Sequence, residues 1–230
     1  MPTSTYELRL IEDNVRAGAA LELPADGINR VVYVVHGRVA VAGNELSDDT
    51  AWLGRGPARL AAGQNGAALW RFELAPAGTS LATLADSSGA SRVKLTSPLA
   101  WPVADDIAGS SGASPDAANL LRADSVAFPP GGCAYLHTHQ GPGIRCLIEG
   151  GIRIDTDGHS TSYAPGGAWF EAGPIPVFAQ AADRATRFIR VMILPARLKG
   201  QSSIAYVNAE DRDKPKSQSY KIFIDQPIRL

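Results

Sequence analysis

Residues 131–150 read Gly-Gly-Cys-Ala-Tyr-Leu-His-Thr-His-Gln-Gly-Pro-Gly-Ile-Arg-Cys-Leu-Ile-Glu-Gly and contain two of the four histidines of the chain, His137 and His139. The two histidines are one residue apart in a segment that is predicted to be a β-strand. Because successive strand side chains point to opposite faces of a sheet, both imidazoles should point the same way. Two convergent imidazoles are the beginning of a transition-metal site.

The rest of the chain alternates short apolar runs with turns. Gly and Pro are frequent, at 23 and 16 residues, and helical periodicity is confined to possible short turns near 195–200 and 208–213. This pattern predicts an all-β protein built as a sandwich or barrel. The clearest strand candidates are 31–35, 68–74, 144–148 and 186–194.

Charge and cysteine content exclude several classes of function. The chain has 22 Lys and Arg against 23 Asp and Glu, so charge gives no reason to expect binding to nucleic acid or to a membrane surface. No apolar run is long enough to span a bilayer, and no signal peptide is recognisable. Cys133 and Cys146 should lie on opposite faces of a hairpin formed by 133–139 and 144–149. We therefore expect no disulfide and a reduced, cytoplasmic protein.

Similar landmarks occur twice in the same order. Residues 30–37 match 143–150, residues 51–57 match 168–174, and Arg71-Phe72 matches Arg187-Phe188. Such an ordered series indicates a duplicated β domain. The predicted organisation is an N-terminal barrel (1–102), a small-residue linker (103–116) and a C-terminal barrel (117–230) that contains the site and ends in an edge strand near 221–225.

The spacing around the histidines resembles the first motif of the cupin family. Gly131, five residues, His137-x-His139, three residues, position 143, six residues and Gly150 fit that motif, and residues 165–177 resemble the second motif. The chain is thus similar to a bicupin, which implies two double-stranded β-helix (jelly-roll) barrels. The family's glutamate ligand falls on Gly143 and its second-motif histidine on Val177, so two of the four usual ligands are absent.

Glu171 offers a partial replacement, since some cupin oxygenases have a pocket carboxylate at a similar place. His137, His139 and Glu171 would form the two-histidine, one-carboxylate set that leaves open positions on Fe(II), with Mn, Ni or Zn as other candidates. If Glu171 were buried without a cation, its pKa would rise and the protonated group would suit general acid or base catalysis.

Four further residues are candidates for binding substrate. Arg145 should lie opposite His137 in the predicted hairpin, with an inward guanidinium that pairs either with Glu171 or with an anionic substrate. Tyr135 shares the strand face of the histidines. The other two are Gln140, at the barrel mouth, and Trp169, beside Glu171.

The remaining histidines and the first repeat do not suggest a second site. His36 and His159 fall at turns and should be exposed. In the first repeat Pro24, Asp26 and Arg30 stand where the second has its ligand-type positions, so the N-terminal barrel should be structural. It could cover sheet edges or form the surface of a homodimer.

The leading functional hypothesis is a metal-dependent cupin enzyme, a non-haem Fe(II)-type dioxygenase acting on a small carboxylated or enolisable compound. One alternative is a non-catalytic cupin that binds a small molecule. Another is a metal-free isomerase or lyase that uses His137 and Glu171 as an acid–base pair. The fold alone cannot distinguish among these.

Overall fold

The computed structural model describes residues 6–99 and 119–229. The chain divides into two compact units, with the division between residues 102 and 103. The predicted linker, residues 103–116, lies outside the described residues. In the described ranges the secondary structure is β-strand apart from two 3-10 turns, Ala196–Leu198 and Ala209–Asp211. The all-β prediction is therefore confirmed.

The first unit forms one antiparallel sheet in the order β4-β3-β6-β1-β7, with β2 paired to β6 and β5 paired to β3. Its apolar side chains form a buried core that includes Val32, Val34 and Leu69. The strands are β1 (Tyr6–Val15), β2 (Ala20–Leu23), β3 (Asn29–Val41), β4 (Asn44–Ser47), β5 (Ala51–Arg55), β6 (Ala58–Pro76) and β7 (Gly89–Leu99).

The second unit is a two-sheet jelly roll. One sheet has the order β13-β10-β15-β8-β17 and the other β12-β11-β14-β9-β16. Apolar side chains from both sheets, such as Leu147 and Ile154, pack in a single core. The strands are β8 (Asn119–Phe128), β9 (Cys133–His139), β10 (Gly143–Glu149), β11 (Ile152–Thr156), β12 (His159–Tyr163), β13 (Ala168–Glu171), β14 (Val177–Ala181), β15 (Thr186–Pro195), β16 (Ile204–Tyr206) and β17 (Ser219–Ile228).

The predicted hairpin between 133–139 and 144–149 is wrong. Strand β9 pairs with β14 and β16, whereas β10 pairs with β13 and β15 in the other sheet. The short segment 140–142 therefore crosses from one sheet to the other instead of reversing within one. Arg145 consequently reaches the histidines across the interior of the sandwich. Neither Cys133 nor Cys146 is in a disulfide.

Both units contain a shift in strand register at a matching place. The register of β3 against β6 shifts between Val34 and His36, and that of β10 against β15 shifts between Leu147 and Glu149. Both positions differ by the 113 residues that separate the first pair of repeats in the sequence. The same registers align Arg71 with Arg190, so the predicted match of Arg71 with Arg187 is wrong. The bicupin duplication stays a prediction, which the common bulge supports.

The last strand of the second unit, β17, pairs with β8 at the edge of its sheet. In the first unit β7 occupies the corresponding edge beside β1. The described part of the chain contains no helix with the length and apolarity that crossing a bilayer requires.

Candidate metal centre

His137, His139, Arg145 and Glu171 meet in the second unit, where they line a cavity of about 20 Å³. Strand β9 supplies the histidines, β10 supplies the arginine and β13 supplies the glutamate. Side chains of both sheets surround the cavity, which has room for about one water molecule or ion. The sandwich thus brings together residues that are up to 34 positions apart in the sequence.

A bulge in β9 orients the two histidines. On β14, Val177 and Ala179 are two residues apart, but their partners on β9, His137 and Ala134, are three apart. The extra residue shifts the alternation, so that Ala134 faces the cavity together with His137 and His139. Tyr135 is therefore turned away and only half buried, with Lys214 and Lys216 near its ring. The prediction that Tyr135 lines the pocket is wrong for this reason.

The His137 ring is fixed in one tautomer by the backbone. Its Nδ1 lies 2.6 Å from the carbonyl oxygen of Tyr135. Because a carbonyl can only accept a hydrogen bond, Nδ1 must carry the proton. In the neutral ring Nε2 then carries a lone pair, and this nitrogen lies 3.2 Å from Nε2 of His139.

His139 lies between His137 and Glu171 and contacts both. Its Nε2 also lies 3.2 Å from Oε2 of Glu171, while its buried Nδ1 has no hydrogen-bond partner among the described residues. If the proton is on Nδ1, the lone pair of Nε2 points toward that of His137 and toward the carboxylate. Three electron-pair donors then converge on one small volume, which is the arrangement that a cation requires.

Glu171 is ionised in this environment. Burial by itself would raise the pKa of Glu171, but the charge of Arg145 and the close approach of His139 outweigh it and hold the pKa well below its usual range. Trp169 Nε1 donates to Oε1 at 2.8 Å. Oε2 lies 2.8 Å from Arg145 Nη2, yet no described donor is aligned to form a hydrogen bond with it. A protonated Glu171 was expected only if no cation lay beside it, and Arg145 is such a cation.

The two histidines are neutral. Burial lowers the pKa of His137, and it lowers the pKa of His139 to about 3, although Glu171 acts in the opposite direction. Neutral imidazoles and an ionised carboxylate are the protonation states in which these groups bind metals. At neutral pH the three groups therefore have the protonation states that metal binding requires.

Arg145 is 1% exposed and is held against Gly143. Its Nη1 donates to the carbonyl oxygen of Gly143 at 2.7 Å. Burial lowers the pKa of Arg145 to about 10, partly offset by Glu171, which leaves the guanidinium charged at neutral pH. The inward orientation predicted for Arg145 is therefore present, and its partner is Glu171.

As the side chains lie, no group of three or more His, Cys, Asp or Glu in residues 6–99 and 119–229 is arranged to hold a metal ion. The guanidinium of Arg145 already contacts Oε2 of Glu171. The donor set nevertheless fits a metal, because two nitrogens each about 2.0–2.1 Å from one ion are separated by about 2.9–3.4 Å. The observed 3.2 Å between the imidazoles lies in that interval. His137, His139 and Glu171 could hold the ion once Arg145 releases Oε2.

Two predicted substrate-binding residues have other roles. Trp169 is buried, packs against Tyr163 and Phe188, and positions Glu171. Gln140 accepts a hydrogen bond from Arg197. Neither lines the cavity. Trp169 belongs to the apolar core of the second unit, and Gln140 lies in the segment that crosses between the sheets. Both were predicted to bind substrate because they are close to the site in the sequence.

One charged pair beside the cavity was not predicted from the sequence. Arg190 is buried and forms two hydrogen bonds with Asp124, at 2.9 and 2.7 Å. Burial would lower the pKa of Arg190, but Asp124 outweighs it and raises the pKa. The sequence does contain an indication of this pair, because both residues are charged and stand within the apolar strands 119–128 and 186–195. A buried charge needs a partner. His36 and His159 are exposed, as predicted, but the turn predicted at His36 is wrong, because this residue lies within β3 and pairs with Ala68.

A second, more open pocket of about 320 Å³ lies next to the cavity. Four residues line both spaces, Arg190, Ile204, Gln218 and Tyr220. Three of them come from the C-terminal segment after β15, which therefore separates the small cavity from the larger pocket.

Comparisons with known proteins identify the fold. No family model and no curated protein sequence matches the chain. Among solved structures, a formate complex of the oxalate decarboxylase from Lactobacillus farciminis is similar with a TM-score of 0.63, 13% identity and coverage of 92% of this chain and 82% of that one. A deletion variant of the Bacillus subtilis oxalate decarboxylase gives 0.60, 15%, 91% and 73%. At this identity the likeness concerns the fold, and the chain is an all-β protein with the jelly-roll fold of the cupins.

Proposed function

We propose that the second unit binds one divalent transition metal through His137, His139 and Glu171, and that the protein is a metal-dependent cupin enzyme. The observation that carries the proposal is the convergence of His137 Nε2, His139 Nε2 and Glu171 Oε2, with successive separations of 3.2 Å. Two imidazoles and one carboxylate are the ligand set of many Fe(II) oxygenases. The activity we propose is that of a dioxygenase acting on a small carboxylated or enolisable compound.

The residues of the chain have separate tasks in this proposal. A bound metal of this class supplies Lewis acidity and open coordination positions. The hydrogen bond from His137 Nδ1 to Tyr135 aims Nε2 into the cavity, and Trp169 holds the other oxygen of Glu171. Arg145 supplies a buried positive charge that can bind an anionic group of the substrate when Oε2 turns to the metal.

The size of the cavity restricts how a substrate binds. A volume of about 20 Å³ accommodates an ion or a water molecule and excludes an organic acid. The adjoining pocket of about 320 Å³ is large enough for a small organic molecule. We infer that substrate enters from that pocket and displaces the shared wall of Ile204, Gln218 and Tyr220.

In a metal-free mechanism that pairs His137 with Glu171, the ionised Glu171 could act as the base, but the pair would lack a general acid. Glu171 has no proton to donate because its pKa is lowered, and the proton of His137 is held by the Tyr135 carbonyl. A binding protein without chemistry remains the alternative, in which the same residues would hold a metal or a small anion and no turnover would follow.

Metal analysis tests the proposal. The purified protein is incubated with Fe(II), Mn(II), Ni(II) or Zn(II), freed of excess metal and analysed by mass spectrometry. We expect one ion per chain, lost in His137→Ala and retained in His159→Ala, which removes an exposed histidine of the same unit. Full metal content in His137→Ala would overturn the site. Oxygen uptake with a panel of small carboxylates and enolisable compounds then separates enzyme from binding protein.

A further inference from the structure

Arg145 is the cation that lies against Glu171. Its Nη2 is 2.8 Å from Oε2, the oxygen that also approaches His139. The guanidinium is fully buried, and Nη1 is tied to the Gly143 carbonyl at 2.7 Å. A fixed positive charge therefore stands beside the carboxylate that the metal would need.

Gly143 leaves room for both β15 and the guanidinium. A Cβ at this position would come within 2.5 Å of the carbonyl oxygen of Val191 and within 3.1 Å of Arg145 Nη1. The backbone of β15 therefore excludes a side chain at 143 whatever residue stands at 145, and the approach to Nη1 is a smaller constraint. The direct contact between the two residues is the hydrogen bond from Nη1 to the Gly143 carbonyl.

We propose that Arg145, seated against Gly143, is a positioning residue that competes with the metal for Glu171 and so sets the metal affinity of the site. The inference rests on the proposed function, because it concerns the same three ligands. The protein then has two states: a closed one with Arg145 on Oε2, and a loaded one in which Oε2 has turned from Arg145 to the metal.

Electrostatics gives the direction of the effect. A guanidinium and a divalent ion within a few ångströms of each other repel strongly in a buried site, where the effective dielectric constant is far below that of water. Binding must also break the Arg145–Glu171 contact before the metal gains its third ligand. Removing the charge of Arg145 should therefore tighten metal binding.

The experiment measures the affinity for Co(II) by titration against a competing chelator, with the absorption bands of bound Co(II) as a second readout. We expect Arg145→Met to bind Co(II) about a hundredfold more tightly than the unaltered chain. Arg145→Lys retains the charge and should show a much smaller gain. Arg145→Gln replaces Arg145→Met if the latter does not fold by circular dichroism.

Two controls separate the proposed role from a general effect of losing a buried arginine. Arg122→Met removes a buried arginine of the same unit that pairs with Asp225 at 2.8 Å, and it should leave the Co(II) affinity unchanged. In a background of Glu171→Gln, Arg145→Met should bring a smaller gain, since only the direct repulsion between the guanidinium and the metal is then removed.

The outcomes distinguish this inference from the proposed function. If the unaltered chain binds Co(II) through His137 and Arg145→Met has the same or lower affinity, the inference is wrong and the metal site stands. A gain of undiminished size in the Glu171→Gln background also overturns it. If neither the unaltered chain nor any Arg145 variant binds Co(II), the proposed function fails and the inference fails with it.

Discussion

The two units differ at positions that match in strand register. In the first, Arg30 on β3 lies opposite Gly54 on β5, whereas in the second Gly143 on β10 lies opposite Glu171 on β13. The arginine of one unit thus corresponds to a glycine in the other, and the glutamate to a glycine.

The first unit neutralises its buried charges within itself. Arg30 donates to both oxygens of Asp26 and to Glu73 at 2.9 Å. Arg71 donates to both oxygens of Asp13 and to Glu73. Each guanidinium has a carboxylate on more than one side, so the charges of the cluster are neutralised within it. Glu73 Oε2 has no hydrogen-bond partner among the described residues, as Glu171 Oε2 has none, so the two units differ in charge balance and in the histidines and not in this oxygen.

The second unit leaves its buried polar groups incompletely satisfied. Arg145 has a single described carboxylate, Glu171, whose Oε2 has no aligned donor. Nδ1 of His139 lacks a partner among the described residues as well. Buried polar groups are normally satisfied, and the exceptions concentrate at functional sites. The difference indicates that one scaffold can close an interior site with ion pairs or leave it open for a ligand.

The largest expected effect comes from breaking the closed cluster. Arg71→Met should lower the free energy of unfolding of the first unit by about 3–5 kcal/mol, because it leaves Asp13 buried without its partner. Hydrogen exchange read by mass spectrometry, strand by strand, should show faster exchange in β1 and β6 and no change in β10 or β15. Equal acceleration in both units would contradict the separation of the two clusters.

Metal addition should act on the second unit alone. At a free Co(II) concentration about a hundred times the Kd, the free energy of unfolding of that unit should rise by about 2.7 kcal/mol. Denaturant unfolding followed by the same exchange measurement gives the value for each unit. Stabilisation of β1–β7 by the metal would place a site in the first unit and contradict the comparison.

Acid should destabilise the second unit first. The pKa of His139 is lowered to about 3 in the folded chain, against about 6.5 when unfolded. Between these values the unfolded state binds more protons, so stability falls as the pH decreases. His139 alone should account for a loss of about 2 kcal/mol between pH 7 and pH 5 in the metal-free protein.

The first unit has no buried histidine in its described residues, since His36 is exposed. Its stability should hold until its carboxylates begin to protonate. Asp26 has a pKa below its usual value, where burial is outweighed by Arg30, and this contribution is lost as the pH falls through that lowered pKa. Unfolding curves at a series of pH values test the order, which would be reversed if the histidines were protonated in the fold.

The smallest expected effect concerns the tryptophan that positions Glu171. Trp169→Phe removes the hydrogen bond to Oε1 and should cost about 1–2 kcal/mol, with weaker Co(II) binding. Trp52 is the matched residue of the first unit, at the position facing Val32 as Trp169 faces Arg145. Trp52→Phe should leave Co(II) binding unaffected, because Gly54 stands where the glutamate would be.

The sequence by itself determined the fold class and part of the site. Alternation, turn residues and the absence of long helical periodicity are local properties, and they sufficed for an all-β sandwich or barrel, while the motif spacing around the histidines narrowed this to a jelly roll by resemblance. The face shared by His137 and His139 also follows from strand geometry over three residues. Tyr135 shows the limit of that reasoning, since one inserted residue in β9 reverses the alternation and no local pattern announces it.

Only the tertiary structure decided which strands pair and what Glu171 meets. The segment 140–142 is compatible with a hairpin and with a crossing between sheets, and the choice depends on long-range packing of β10 against β15. Arg145 meets Glu171 through the pairing of β10 with β13 within one sheet, so the ionisation of Glu171 depends on contacts between strands that are distant in sequence. Residue types and spacing name the candidate ligands, but strand pairing sets the cation beside Glu171, and the crossing sets both groups opposite the histidines.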